Sequence, residues 1–122
     1  MTLDHIIRKA SDSGFDGAEV AAFCAEHAIT REDFADTVAR IVATRYHSRE
    51  IDFSFSDGVM NCLYGFITER GDLPMPPYSQ SVFLAFDEGE YHHGGDPAGS
   101  DPEDLYTRPA IAEIVASDAQ VT

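Results

Sequence analysis

Residues 50–71 read EIDFSFSDGVMNCLYGFITERG, and the fold class turns on how they are read. Ile51, Phe53 and Phe55 alternate with Asp52, Ser54 and Ser56, the period of a short strand. Phe55, Val59, Leu63, Phe66 and Ile67 step by three and four instead, which places them on one face of a helix. The helical register is the longer of the two. The spacing therefore predicts a helix from residue 53 or 56 to residue 70, with Gly71 as its C-cap. Gly58 weakens the first turn by about 1 kcal/mol relative to Ala.

Upstream, the same period recurs. Leu3, Ile6, Ile7 and Ala10 predict an amphipathic helix over 3–12, which SDSGFDG ends. Asp16 is the N-cap of a second helix that carries Val20, Phe23, Cys24 and His27 on one face. Thr30-Arg31-Glu32-Asp33 is close to a capping box, with Asp in place of Glu or Gln. Behind it, Phe34, Val38, Ile41, Val42 and Tyr46 form the clearest helical stripe in the chain, through residue 47.

Downstream, LPMPPYS is an extended connector. Ser79 or Ser81 is the expected cap of a fifth helix over SVFLAFDEGEY, with a buried strand over 81–86 as the alternative. HHGGDPAGSDPED, residues 92–104, reads as an acidic Gly- and Pro-rich surface loop. Asp101-Pro102 opens one short turn, and Arg108-Pro109 starts a last helix with Ile111, Ile114 and Val115 inward. The expected fold is mostly α: one domain over 1–122, a bundle of five to seven helices, with one short hairpin or strand pair as the alternative. Its core gathers Phe34, Val38, Ile41, Val42, Val59, Leu63, Phe66, Phe83, Phe86, Ile111 and Ile114.

A chain of 122 residues with 43% hydrophobic residues can bury about two thirds of its unfolded surface, so no staple is needed. The two cysteines, Cys24 and Cys62, lie in helical segments and read as small buried hydrophobes. No apolar run approaches the ~18–20 residues of a membrane span, and MTLDHIIRKA lacks the apolar core of a secretory signal. A cytoplasmic location is the expectation.

Twenty-two Asp and Glu face 8 Lys and Arg, a net charge of −14. Such a chain repels nucleic-acid phosphates and anionic lipid, so neither is an expected partner. The charge is uneven. Residues 1–70 hold 12 acids and 7 bases, whereas residues 71–107 hold 8 acids and no Lys or Arg. A like-charge block opposes folding by self-repulsion, so it is either tolerated, as drift in an acidic composition, or kept for another reason.

Within that block, Asp87, Glu88, Glu90, Tyr91, His92, His93 and Asp96 are packed beside a glycine pair, followed by Asp101, Glu103 and Asp104. Glu90 and His93 have the i, i+3 spacing of di-iron helical bundles, but such centres need two of these pairs and two further Glu. The chain has one pair and no other metal motif, so no metal and no cofactor are expected. Paired carboxylates could serve a small metal- or carboxylate-dependent enzyme in the Asp87–Asp96 region, given a pocket that drives their pKa values apart. Ser54, Ser56 and Asp57 read as helix-start chemistry, not as a nucleophile with its base.

The remaining reading is electrostatic: carboxylates that steer and pair with a basic partner, beside Tyr78, Tyr91 and Tyr106 as contact area. In size, acidity and the stretch AFDEGEYHHGGDP…DPEDLYTRPAI, the C-terminal third resembles small acidic bacterial immunity proteins that neutralise a cognate toxin. The resemblance implies a non-enzymatic protein whose tight binding blocks a toxin's active site or its fold; the charge block itself puts Asp87, Glu88, Glu90, Tyr91, His92, His93, Asp96, Asp101, Glu103 and Asp104 at the contact with a basic partner. A nucleic-acid mimic, with carboxylates in place of phosphates, is the alternative from the same electrostatics.

Overall fold

The computed structural model describes residues 2–69 and 74–121, the last two by backbone alone. Every regular element among them is helical: α1 (Leu3–Ser13), α2 (Gly17–His27), α3 (Arg31–His47), α4 (Phe53–Thr68), α5 (Pro77–Glu88) and α6 (Arg108–Val121), with a π-helical turn over Glu103–Thr107 leading into α6. The alternating stretch 51–56 is thus helical from Phe53 on, and 81–86, the alternative buried strand, is helical throughout. The Gly71 cap lies outside the described residues.

Local chemistry explains most of the helix starts. Asp16 accepts from the backbone N–H groups of Ala18 and Glu19. Thr30 and Asp33 form a complete reciprocal capping box, so the shorter Asp does reach back to the cap. The Asp52 carboxylate accepts from the Phe55 N–H at 2.8 Å, and this decides the 51–56 ambiguity in favour of helix from Phe53.

The fifth helix corrects the sequence reading. It starts at Pro77, with Pro76 in the cap position and no side-chain cap of its own. Proline suits the first helical position because its missing N–H is an orphan there anyway. Ser79 is buried inside the first turn. Its N–H and its Oγ both donate to Asp36 Oδ1 of α3, at 3.2 and 2.6 Å. A carboxylate from another helix does the capping.

One apolar cluster draws on all six helices. Phe34, Val38, Val42, Tyr46, Val59, Leu63, Phe86 and Ile111 are fully buried. Ile41, Phe66, Phe83 and Ile114 pack against its edge, half-buried. His27 differs from the expected inward position: it is exposed and lies over the Phe23 ring, centroids 4.2 Å apart.

The π turn also has a sequence cause. Pro109 lacks an N–H, and its ring would clash with the carbonyl four residues back. Widening the preceding turn removes that conflict. The Arg108 N–H accordingly donates to the Glu103 carbonyl, five residues back. The turn opened by Asp101-Pro102 is therefore continuous with the last helix.

Candidate functional site

The acidic segment begins where α5 ends. Gly89 is buried there, and a Cβ on it would lie 2.0 Å from Thr107 Oγ1. Its φ is an ordinary −83°, so the requirement is space and not conformation. Thr107, itself fully buried, donates its hydroxyl to the Ala85 carbonyl at 2.7 Å. This close approach pins the start of the loop 89–101 against the π turn.

Within the loop, His93 is the centre. Its ring lies between Tyr91 and Tyr106, with centroids 4.5 and 4.1 Å away. Its Nε2 is 2.9 Å from the Glu88 carbonyl and 3.0 Å from Glu88 Oε2. Asp96 accepts from the His93 N–H and from the Tyr106 hydroxyl. That tyrosine bond holds the Asp96 carboxyl below the usual carboxylate range, and the facing carboxylate pushes the Tyr106 hydroxyl up to about 12. His92 contacts the Ser100 carbonyl through Nε2 at 2.9 Å.

Asp101 accepts from the Glu103 N–H and so starts the helical turn. Glu103 faces inward. It accepts from the hydroxyl of buried Tyr46 and pairs with Arg108 Nη2 at 3.2 Å. Burial, with Glu103 second, raises the pKa of that phenol. The Arg108 guanidinium in turn covers the Tyr46 ring at 4.0 Å.

Nine of the ten residues singled out in the sequence fall into two groups; the tenth, Asp87, is half-buried and bears on Asp57 and Tyr91 through its charge. His93, Asp96, Asp101 and Glu103, with the Glu88–His93 pair, build the loop and tie it down. Tyr91 is half exposed, at 50%, and Glu90, His92 and Asp104 also face solvent. The carboxylate of Glu88, then burial and the charges of Asp87 and Glu90, push the Tyr91 hydroxyl up. Glu90 and His93 do not converge: the one turns to α4, the other to Tyr106. Among the described residues no three His, Cys, Asp or Glu side chains are grouped to hold a metal ion.

Sequence reasoning missed two members, both on α4. Asn61 Nδ2 donates to Asp57 Oδ2 at 3.3 Å and to Glu90 Oε2 at 3.1 Å, so one amide bridges the helix and the loop. Asp57 Oδ1 is buried without a hydrogen-bond partner. Burial first, then Glu90 and the charge of Asp87, push the Asp57 carboxyl up to about 7. Asp57 is therefore not helix-start chemistry: Asp52 performs that task, and Asp57 holds a proton near neutrality against Glu90. No local pattern signals this, because Glu90 arrives from 33 residues away.

The cysteines are free and half-buried. Burial is the main cause that raises the Cys24 thiol, the opposite of what a nucleophile needs. No helix of the described residues is long and apolar enough to cross a membrane.

No family model, curated protein or solved structure matches this chain.

Proposed function

We propose that the chain is a non-enzymatic, cytoplasmic binding domain of bacterial immunity type, which clamps and neutralises a basic protein such as a cognate toxin. The observation that carries this reading is the surroundings of Tyr91. An aromatic side chain half in solvent stands in the field of Glu88, Asp87 and Glu90, in a segment with 8 acids and no Lys or Arg over residues 71–107. Arg108, just beyond that segment, turns inward to Glu103 and Tyr46.

Preorganisation supports the same reading. The stack on His93, the Asp96 bonds and the Gly89–Thr107 contact hold the loop before any partner arrives, which lowers the entropic cost of association. Carboxylates at the rim then steer the encounter, while an aromatic anchor sets the lifetime.

The test is capture of the partner from the native host, followed by binding kinetics with the purified pair. Tyr91→Ala should weaken binding by ~2 kcal/mol or more, through faster dissociation. A captured partner without net positive charge, or a Tyr91→Ala variant that dissociates like the unaltered protein, would contradict the proposal.

A further inference from the structure

Helices α5 and α6 leave a trough between them. One hollow of about 430 Å³ is lined at one end by Tyr78, Ile114 and Asp118. A second, of about 400 Å³, is lined at the other end by Leu84, Glu88 and Tyr106. Both include Ser81 and Ala110, so the two adjoin at these small side chains along the α5–α6 seam. The start of α5 thus faces the end of α6, and the helices run antiparallel. Residues 78 to 88 span about 15 Å at helical rise, roughly three turns.

The walls are apolar and the rim is acidic. Leu84 is 43% exposed, and Ile114 is half-buried at the edge of the core. Glu88 stands at one end, Glu113 on the α6 side and Asp118 at the other end. Arg40, bonded to Asp118 at 2.8 Å, is the cation at this rim among the described residues. The trough also abuts the acidic loop, since Glu88 and Tyr106 both hold His93.

We infer that this trough seats one amphipathic helix of about three turns, with an apolar stripe and basic flanks, supplied by the partner. The inference rests on the proposed role as an acidic binding domain and names the partner element it takes. Apolar walls select residues at i, i+3 or i+4 and i+7, the helix-in-groove mode. The rim selects Lys or Arg beside that stripe. A second copy of this chain fits poorly, because it brings a further −14 to a surface that is already negative.

The probe is an 18-residue labelled peptide of Leu, Ala and Lys with Leu on one helical stripe, titrated against the full chain by fluorescence anisotropy. A peptide of the same composition, scrambled to destroy the stripe, is the control. The striped peptide should bind ~10-fold or more tightly than the scrambled one, in keeping with a groove that reads the apolar face. Ser81→Trp, which puts a large ring where the two hollows adjoin, and Leu84→Lys should each lower that affinity by ~10-fold or more. Far-UV circular dichroism checks that both variants keep their helices. Equal affinities for the two peptides, or variants that bind the striped peptide unchanged, would overturn the inference. If both peptides then still bind in a salt-dependent way, the acidic binding role survives and only the groove falls. If neither basic peptide binds even at low salt, the binding role falls with it.

Discussion

Replacing Asp57 by Asn should make the protein more stable at alkaline pH and remove a specific part of its pH dependence. The Asp57 carboxyl has an ordinary value of 3.8 and is pushed up to about 7 by burial and by Glu90. Between these values the folded protein keeps a proton that the unfolded chain has released. Stability is therefore fully present below about pH 4, falls as pH rises towards 7, and is level above it. At about 1.4 kcal/mol per unit the ceiling is ~4 kcal/mol. Solvent reaches this half-buried pair, so ~1–2 kcal/mol is the expected share. The Asp57→Asn side chain would keep the size and accept from Asn61 without bringing a charge to Glu90. Urea unfolding followed by circular dichroism, at about pH 5 and about pH 8 on both proteins, measures the difference. The variant should gain ~1–2 kcal/mol on the unaltered protein at the higher pH, or about 4–8 °C in melting temperature. Equal pH dependence in the two proteins would refute the reasoning.

Three further outcomes follow from the same contacts. Gly89→Ala places a methyl 2.0 Å from Thr107 Oγ1 and should cost ~1–3 kcal/mol as overpacking; adding Thr107→Ala should cost less than the two single changes together in a denaturation cycle. Tyr46→Phe removes the hydroxyl that Glu103 accepts and should lose ~1–2 kcal/mol in chemical denaturation. Elemental analysis of protein purified without a His tag should find well under one equivalent of transition metal, because Glu90 and His93 point apart.

What the sequence made legible was the chemistry confined to one turn. The Thr30–Asp33 box and the Asp16 cap lie within three residues of the N–H groups they serve, and helical spacing brings Phe34, Val38 and Val42 to one face of α3. The 51–56 ambiguity arose because Phe55 satisfies both periods, and the Asp52 cap bond settles it. The start of α5 was misread because its capping carboxylate, Asp36, stands 43 residues before Ser79. The π turn was present in the sequence as Pro109, but a proline signals a conflict without saying how the backbone resolves it. Asp57 was missed for the reason that also hid the α5–α6 trough: both depend on which elements meet, and the charge pattern of a single segment does not carry that.

The central claim, that the face around Tyr91 attracts a basic partner, is tested most directly by the association rate with the captured partner at low and at physiological salt. Asp87, Glu90 and Asp104 suit the reversal because none of them takes part in the His93–Asp96 framework. Combined reversal to Lys should slow association at low salt by ~10-fold or more, while dissociation changes less. The unaltered protein should itself lose most of that advantage as salt screens the charges. Association that ignores both the salt and the triple reversal would mean that this face is not the interface and that its acidity serves solubility alone.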